Sequence, residues 1–411
     1  MLKIIYPVCC GIDVHKKFIV ACIVSTDVKG IPTYKSSRFS TFTNGLRTLK
    51  DWLHANACTD VCMESTGKYW IPVFNVLEDT CKVTLAHPKY VKAIRGKKTD
   101  KKDAKWIADL FKHDLVAASF MPPLPIRQLR DLMRYRSKLI NLRSSESKRT
   151  QNCLTVSNIQ LSNVVSDTFG KSSMAIIDKI LENPLDTNFD VTPLIHGSMR
   201  PKVPELQLAI DGFITPEQAF KLGVIKQHYD SINECKDKLE TFIRSLVQPY
   251  STERDLILTV PGIKEFSAIS IISEIGVDMS AFPNAKHLCS WAGLTPTNNE
   301  SAGKKHSVRI SRAGVYIKPL LVQCANAVVT SKKYPEIRNR YLVLKKRRGH
   351  KKAIIAIARM LLTAVFHILT KKEVYNPILY AKMNLSAPSR EITPEQALVL
   401  AQRQGFIIKV S

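Results

Sequence analysis

The feature that most limits the fold of this chain is a change of periodicity near residue 120. Before it, short runs rich in β-branched residues alternate with short amphipathic segments, which predicts strands and helices in turn. The predicted strands are residues 4–13, 18–25, 34–42, 60–64 and 82–86, and the predicted helices are residues 44–55, 69–78 and 100–111. A hairpin followed by strand–helix units indicates a mixed sheet covered by helices. We therefore expect an α/β domain over residues 1–120.

After that point the apolar spacing is that of long helices. Residues 126–154 carry regularly placed Lys and Arg, and residues 225–246 keep a mainly apolar heptad over three repeats. The heptad favours either a coiled coil or an intramolecular helical hairpin, and the sequence does not choose between them. Residues 155–224 show only short helical stretches. The expected regions are a helical, coiled-coil-like middle over 121–250, a mainly α C-terminal domain over 251–375 and a tail over 376–411.

The charge of the chain points to a polyanionic partner. Its 411 residues include 61 Lys and Arg but only 35 Asp and Glu, a formal net charge of +26 at pH 7. Residues 301–352 hold fifteen basic residues against one acid, and residues 89–112 hold nine against three. A solvated helix face explains either stretch alone, whereas two such stretches in one chain favour contacts with nucleic-acid phosphates.

Composition disfavours several other classes of protein. A hydrophobic fraction of 45% with 23% charged residues is ordinary for a globular chain, so extensive disorder is not expected. The longest apolar run, residues 353–369, contains Arg359 and His367, so no membrane segment is expected. The ten cysteines include no CxxC pair and lie mostly in apolar segments, which indicates buried thiols rather than zinc ligands or disulfides. We expect a cytoplasmic protein without a secretion signal.

One predicted helix places two carboxylates where apolar residues are expected. The face of residues 100–111 that carries the apolar stripe begins with Asp100 and Asp103. The stripe continues with Ala104, Ile107, Ala108 and Phe111, and the lysines predicted to point elsewhere are Lys101, Lys102, Lys105 and Lys112. Burying an unpaired carboxylate is costly, so a metal ion or a cationic partner is expected beside them. The alternative is that Asp simply favours the first turn of a helix.

Two other acids end predicted strands. Asp13 follows the apolar run 8–12, and Glu64 follows residues 61–63. Carboxylates at adjacent strand ends, facing two on a helix, are suited to bind one or two Mg²⁺ ions through oxygen. A pair of ions ~4 Å apart stabilises both the attacking and the leaving oxygen at a phosphodiester. Each acid alone has a structural explanation, but the four together favour a metal site.

Three acidic motifs carry a resemblance to a known family. They are residues 11–17 (GIDVHKK), residues 64–69 (ESTGKY) and residues 98–104 (KTDKKDA). The set resembles the acidic motifs of the DEDD transposases of the insertion-sequence 110 family. The resemblance implies a RuvC-like N-terminal domain with an RNase H fold. It also implies that the catalytic, Mg²⁺-binding tetrad is Asp13, Glu64, Asp100 and Asp103.

The resemblance continues downstream. Residues 260–263 (VPGI) are similar to the start of the helix-hairpin-helix in that family's C-terminal transposase domain, where a glycine turn exposes backbone N–H groups to phosphate. The serine-bearing segment of the family looks like residues 291–296, 299–303 and 309–314. This implies that Ser301 is the nucleophile, although this chain has Ser-Ala-Gly where the family has Ser-Gly. The residues alone leave Ser301, Ser307 and Ser311 open.

The family implies a reaction at a composite site and a set of partners. Ser301 would attack the scissile phosphate while metal ions held by the four acids neutralise charge, leaving phosphoserine-linked DNA and a free 3′-hydroxyl. The implied partners are donor and target DNA, a non-coding bridge RNA, and further copies of the chain in a homodimer or dimer of dimers that uses residues 225–246. The implied location is the prokaryotic cytoplasm, at the nucleoid. The expected nucleic-acid contacts are Gly262, Lys304, Lys305, Arg309, Arg312, Lys345, Lys346, Arg347 and Arg348.

Three other functions compete with this interpretation. A RuvC-like metal-dependent nuclease or junction resolvase would use activated water and would need no Ser301. A site-specific DNA invertase of the same family would use the same chemistry on inverted sites. A non-enzymatic basic scaffold would use the acids only to cap helices. Covalent capture of DNA would distinguish the recombinases from the nuclease. A lack of any Mg²⁺-dependent activity would favour the non-enzymatic scaffold.

Overall fold

The computed structural model describes residues 2–65, 67–87, 91, 99–184, 186–296, 299–301, 304–307 and 309–377. The chain divides into two compact units, Met1–Met121 and Pro122–Ser411. The predicted tail, residues 376–411, lies outside the described residues from residue 378 onward.

A mixed five-stranded sheet forms the centre of the first unit. Its strands are β1 (Val8–Val14), β2 (Phe18–Thr26), β3 (Pro32–Ser40), β4 (Asp60–Glu64) and β5 (Lys82–Ala86). The strand order is β3-β2-β1-β4-β5. The first three strands run antiparallel, whereas β4 pairs in parallel with both β1 and β5. The predicted mixed sheet is confirmed.

The first strand starts later than the predicted residues 4–13. The backbone N–H groups of Ile5 and Tyr6 both donate to the carbonyl oxygen of Lys112, at 2.9 and 3.2 Å, so these residues are held by a helix end. Pro7 has no N–H to donate to a ladder. These contacts explain why regular pairing begins only at Val8.

Helices cover both faces of the sheet. They are α1 (Thr43–Ala55), α2 (Trp70–Leu77) and α3 (Asp100–Lys112). Side chains alternate along a strand, so the two faces of β1 bury different residues. Cys10, Ile12 and Val14 pack in the cluster that contains the apolar residues of α1 and α2, whereas Cys9 packs with the buried residues of α3.

Two long antiparallel helices form the first part of the second unit. They are α4 (Leu124–Val156) and α8 (Pro216–Val247), of 33 and 32 residues. Arg136 of α4 contacts Glu240 of α8, and farther along α4 Glu146 contacts His228. The intramolecular hairpin is therefore the pairing that the chain shows. Of the predicted heptad residues, Ile225 and Ile232 are buried.

The short helices between α4 and α8 have a core of their own. They are α5 (Leu161–Val164), α6 (Lys171–Glu182) and α7 (Val203–Ala209), with 3-10 turns at Thr192–Leu194 and Gly197–Lys202. A cluster of buried apolar residues from Cys153 to Ile225 holds them together. The sequence predicts short helices here but does not reveal this core.

The C-terminal part of the second unit is mainly helical. It contains α9 (Ser251–Leu258), α10 (Glu265–Ile275), α11 (Ala285–Trp291), a β6–β7 hairpin (Asn299–Ser301 and Lys304–Ser307), α12 (Ile317–Thr330), α13 (Pro335–Arg348) and α14 (His350–Lys371), with 3-10 turns at Gln248–Tyr250 and Met279–Ala281. Helix α14 is the core helix, since it contacts α9, α11, α12 and α13.

Helix α14 contains the apolar run in which no membrane segment is expected. Its 22 residues are long and apolar enough, by length and composition alone, to cross a membrane. However, 61% of its most apolar window is buried inside the protein, as in the core helix of a folded domain. Arg359 and His367 do not interrupt the buried face, because neither side chain belongs to it.

Candidate functional site

One face of β1 carries the first predicted metal ligand. Because side chains alternate along a strand, Gly11, Asp13 and His15 project from the same side of the sheet. Helix α3 covers this side and runs antiparallel to β1: Ala108 lies over Gly11, whereas Asp100 lies beside His15. The first turn of α3 is thereby brought to the end of β1 where Asp13 lies.

Gly11 sets how closely α3 approaches the sheet. A Cβ atom at Gly11 would lie 2.3 Å from both the Ala104 carbonyl oxygen and the Ala108 backbone nitrogen. Real Cβ atoms essentially never come that close to backbone atoms, so only glycine permits this contact. The position of the acidic first turn therefore depends on a missing side chain in the neighbouring strand.

The acidic group at this end of β1 contains a histidine. His15 Nε2 lies 3.0 Å from Asp13 Oδ2 and 3.5 Å from Asp100 Oδ1. One ligand atom each from Asp13, His15 and Asp100 lies within 4.8 Å of the others. Two carboxylates and an imidazole are donors that suit a divalent cation, with carboxylate oxygens preferred by Mg²⁺ and imidazole by transition metals. The donor chemistry therefore fits a metal ion.

The electrostatics of Asp13 favour a cation nearby. Burial raises the pKa of the Asp13 carboxyl above its ordinary value, and the contact with His15 opposes that rise. The negative charges of Asp103 and Asp100 raise the pKa further. The carboxylate is only 16% exposed, so water screens this repulsion weakly. A bound cation would relieve the repulsion among the three acids.

Two of the four predicted ligands lie next to this group rather than in it. Glu64 is the last residue of β4, directly after the Ile12–Met63 pair that joins β4 to β1. Asp103 is half-buried in the first turn of α3. Neither belongs to the group whose ligand atoms lie within 4.8 Å. The structure thus brings Asp13 and Asp100 together and leaves Glu64 and Asp103 at its border.

Helix α3 follows its predicted pattern with two exceptions, the first of which is that Asp100, expected to extend the buried stripe, is exposed. Thr99 caps the helix by accepting a hydrogen bond from the Lys102 backbone N–H, so both aspartates also lie in a capped first turn. Lys112, predicted to point away from the apolar face, is instead only 7% exposed. Its ammonium lies 3.5 Å from the Asp109 carboxylate, which explains how its charge is tolerated.

Sequence reasoning missed His15. The residue is part of the first acidic motif, but the motif alone assigns it no role. The signal that identifies it is strand alternation: His15 is two residues beyond Asp13 and therefore on the same side of the chain. Its ring also packs against the Phe18 ring, with centroids 4.6 Å apart, so its position is supported from a second side.

The predicted serine lies in a β-hairpin, and the turns before and after this hairpin pack closely against each other. Ser301 ends β6, and its Cα pairs with that of Lys304 in β7. A Cβ at Gly293 would lie 2.4 Å from the Ala313 carbonyl oxygen, and one at Gly314 would lie 2.1 Å from the Ala292 carbonyl oxygen. Both glycines have positive φ, +69° and +67°. The segments before and after the hairpin are therefore held together by two turns that only glycine fits.

The predicted phosphate-contacting turn lies between two helices. Gly262 connects α9 to α10 and has a φ of +81°. A Cβ there would lie 2.6 Å from the carbonyl oxygen of Cys324 in α12. The turn is thus packed closely against a third helix.

The predicted basic contacts lie at several places in the second unit. Arg309 and Arg312 are exposed in the segment after the hairpin, and Lys304 and Lys305 are residues of β7. The last four residues of α13 are all exposed: Lys345, Lys346, Arg347 and Arg348. They form a basic cluster at a helix C-terminus, where positive charge is favoured by the helix dipole.

Two family models match the chain. The DEDD-type IS110 model, described as "Transposase", matches residues 10–159. The model described as "Transposase IS116/IS110/IS902 family" matches residues 254–342. Together they span more than half of the chain. The first range contains the four predicted metal ligands, and the second contains Ser301 and Gly262 but ends before the basic cluster of α13.

Several curated proteins are similar over part of their length. The transposase for insertion sequence element IS1111A of Coxiella burnetii (strain RSA 493 / Nine Mile phase I) is 28% identical over 122 residues, 29% of this chain and 33% of that protein. An uncharacterized 42 kDa protein of insertion element IS900 from Mycobacterium paratuberculosis is 31% identical over 126 residues, 30% of this chain and 31% of that protein. The pilin gene-inverting protein of Moraxella bovis is 27% identical over 173 residues, 39% and 52% of the two chains. The similar stretches therefore span about a third to a half of these relatives.

Proposed function

Because this chain belongs to the IS110 family of transposases, we propose that it is a DNA transposase that cuts and rejoins strands through a covalent phosphoserine intermediate. The observation that carries this proposal is the approach of Asp13 and Asp100 at the edge of the sheet, within the range of the first family model. Paired acids at such an edge are suited to phosphodiester chemistry that depends on a divalent metal.

The proposed metal centre belongs to a RuvC-like, RNase H-type domain. Support for this fold comes from the strand order, in which an antiparallel β3-β2-β1 half continues into the parallel strands β4 and β5. The residues proposed to hold Mg²⁺ are Asp13, Glu64, Asp100 and Asp103. When bound, the cation would stabilise charge that develops on the phosphate oxygens. His15 would orient Asp13 through the 3.0 Å contact.

Ser301 is proposed to supply the nucleophile. Its Oγ attacks the scissile phosphorus, an Oγ–P bond forms, and the bond from phosphorus to the 3′-oxygen breaks. The serine proton is lost and the departing 3′-oxygen gains one, so the products are a 5′-phosphoserine end and a free 3′-hydroxyl. Attack by the 3′-hydroxyl of a partner strand then restores Ser301. The support for this assignment is that Ser301 ends a β-strand whose flanking segments are held together by two glycine turns.

The proposed nucleic-acid contacts lie around the second family match. Gly262 would begin a helix-hairpin-helix between α9 and α10, whose first N–H groups would bind phosphate. The basic residues proposed to contact phosphates are Lys304, Lys305, Arg309, Arg312, Lys345, Lys346, Arg347 and Arg348. We further propose donor and target DNA, a non-coding bridge RNA and other copies of the chain as partners, in the cytoplasm of a prokaryote.

Metal-dependent strand exchange tests the proposal. We expect the wild-type protein to exchange strands between two DNA duplexes in Mg²⁺ and to stop when a chelator is added. Asp13→Asn should abolish exchange and weaken Mn²⁺ binding measured by paramagnetic resonance, whereas Asp51→Asn, an exposed residue of α1, should change neither. Normal exchange by Asp13→Asn in chelator would overturn the metal part of the proposal.

Site-specific inversion is a second candidate, favoured by the similarity to two pilin gene-inverting proteins of Moraxella. The chemistry at each strand would be the same, and the arrangement of sites would differ. A plasmid with two inverted copies of a recombination site distinguishes the two functions. Inversion of the intervening segment supports an invertase, whereas insertion of a circular donor into a separate target supports a transposase.

A further inference from the structure

We infer that the second unit contains a pocket for one unstacked nucleotide of a single nucleic-acid strand. The pocket, called here the α4–α10 pocket, is a cavity of about 820 Å³ lined by residues of α4, α8, α10 and α12. It is separate from the residues proposed for metal binding and for nucleophilic attack, and it borders the start of α10, whose N–H groups are already proposed to bind phosphate. Its volume is within the range of pockets that enclose a small ligand.

Four cationic side chains line the pocket, and three of them are paired. Arg134 donates to both carboxylate oxygens of Glu274, at 2.8 Å each. Arg136 donates to Glu240 at 2.7 Å, and Arg244 donates to Glu265 at 3.0 and 3.3 Å.

The fourth cation is available for a ligand. Lys264 lines the same cavity, is exposed and forms no ion pair with any residue that the structure describes. Among the four cations it is therefore the charge that is not already neutralised. A phosphate group is the anion that a nucleic acid would place beside it.

The paired arginines form flat surfaces together with aromatic rings. The Arg136 and Arg244 guanidiniums lie 4.0 and 4.8 Å from the centre of the Phe266 ring. The Arg134 guanidinium lies 4.4 Å from the centre of the Tyr316 ring, which is 37% exposed. Carboxylates hold each guanidinium in place, so these surfaces are ordered before a ligand arrives. Nucleobases stack on such aromatic and guanidinium planes with little dependence on sequence.

The start of α10 supplies the phosphate-binding groups. Lys264 is the residue before the helix, and no side chain caps its first backbone N–H groups. The cavity is lined by Lys264, Glu265, Phe266 and Ser267, so this uncapped turn borders the cavity directly. One pocket therefore combines a cationic and N–H-rich end for phosphate with flat surfaces for a base.

The chemistry selects an unpaired nucleotide rather than a duplex. A base within a duplex is stacked on both faces, so it offers no free face to Tyr316. The amides of Asn141 and Gln323 line the same cavity and provide donors and acceptors for the edge of a base. The inference rests on the proposed function only in taking nucleic acid as the partner.

Binding of short oligonucleotides to the full chain tests the pocket. The probes are fluorescein-labelled hexathymidylate and hexauridylate, titrated at several salt concentrations. Tyr316→Leu should weaken binding at least about fivefold, the lower limit for loss of one base–aromatic stack. Lys264→Gln should reduce the slope of log affinity against log salt by about 0.7, the value for one phosphate contact on a single strand.

Matched controls separate the pocket from general charge effects. Tyr135→Leu makes the same change on α4 at an exposed tyrosine outside the pocket, and Lys221→Gln removes one charge from the exposed face of α8. Both should bind like the wild type, and thermal unfolding should show that all four variants are folded. Tighter binding of one probe identifies DNA or RNA as the source of the nucleotide, and equal binding indicates that base and phosphate suffice.

The proposal is overturned if Tyr316→Leu and Lys264→Gln bind both probes as tightly as their controls. That result is distinguishable from failure of the proposed function, which is measured by covalent capture of duplex DNA in the wild-type protein. Covalent capture with unaltered oligonucleotide binding by the variants would reject the pocket alone. Loss of binding in the variants without any covalent capture would reject the transposase chemistry alone.

Discussion

Gly11 of β1 lies directly beneath Ala104 of α3, with room for no side chain between the strand and the helix carbonyl. A Cβ at Gly11 would be 2.3 Å from that oxygen. Asp100 and Asp103 are in the turn of α3 just before Ala104, and Asp13 is two residues beyond Gly11. The contact therefore determines how near the acids of the helix come to the acid of the strand.

The first prediction concerns Gly11→Ala. The added methyl group meets backbone atoms, so the helix has to move away from the sheet. We expect a loss of about 1–3 kcal/mol in the free energy of unfolding, the usual cost of overpacking, together with weaker Mn²⁺ binding. Urea denaturation and paramagnetic resonance measure the two effects.

Gly223→Ala provides the matched control for this substitution. Gly223 is inside α8 with nothing within 4 Å of an added Cβ, so alanine there should leave stability unchanged or raise it by about 0.5–1 kcal/mol. If Gly11→Ala were as stable as the control and bound metal normally, the close approach of α3 would have no role in forming the site.

The second prediction concerns the two closely packed glycine turns on either side of the β6–β7 hairpin. Gly293→Ala and Gly314→Ala should each reduce covalent DNA capture and leave Mn²⁺ binding intact, because the turns hold the segment that carries Ser301. Gly197→Ala is the control, since Gly197 also has positive φ (+54°) but nothing within 4 Å of an added Cβ. Equal covalent capture by all three variants would show that backbone strain at a positive φ, and not the close packing of the two turns, explains any loss of capture.

The third prediction concerns the basic cluster at the end of α13. Lys345→Gln combined with Lys346→Gln should weaken duplex binding and reduce the salt slope by about 0.9 for each phosphate that the variant no longer neutralises. Lys221→Gln combined with Lys238→Gln removes the same charge from exposed positions of α8 and should leave the slope unchanged. Filter binding at a series of salt concentrations measures both, and identical slopes for the two pairs would exclude a specific role for the cluster.

The fourth prediction concerns the thiols. All ten cysteines are free, and nine are buried as the sequence predicts, whereas Cys235 is exposed. Burial raises the pKa of Cys9, Cys58 and Cys62 to about 12. In the unfolded chain a thiol ionises near pH ~8.5, so above that pH the folded state binds more protons. Stability should therefore fall as pH rises from about 9 toward 12, by roughly 1.4 kcal/mol per pH unit for each thiol.

A pair of cysteine variants isolates this effect from other groups that titrate at alkaline pH. In urea denaturation at pH 7.5 and 9.5, Cys62→Ala should lose less stability between the two pH values than the wild type does. Cys235→Ala, the same change at the exposed cysteine, is the control and should show the wild-type difference. A steeper loss in Cys62→Ala would contradict the assigned cause.

Local patterns were sufficient for much of the first unit. The strands at residues 60–64 and 82–86 have the predicted bounds, because each is a short and mainly apolar run. The apolar stripe of α3 is also found as predicted. Contacts between segments that are distant in the sequence could not be predicted from local patterns. For example, the lack of space for a side chain at Gly11 is due to a helix about ninety residues later in the chain.

The second unit shows another limit of sequence reasoning. The core between α4 and α8 includes Val191, Ile195 and Ile214, which lie outside the α-helices and follow no helical or strand period. The heptad in α8 predicts a single seam, but Arg136 of α4 pairs with Glu240, which is outside the heptad, and Phe242 of the heptad is exposed. Such pairing depends on the partner helix and cannot be read from α8 alone.

The central claim is that Ser301 becomes covalently joined to DNA. Ser307 and Ser311 are the alternatives in the same segment, and the Ser311 hydroxyl already accepts a hydrogen bond from the Ala313 backbone N–H at 3.2 Å. The direct measurement is capture of a nicked suicide DNA substrate, followed by mass spectrometry of the linked peptide. We predict a phosphoserine adduct at residue 301 in the wild type and in Ser307→Ala, and none in Ser301→Ala. An adduct that persists in Ser301→Ala, or that maps to another residue, would contradict the account.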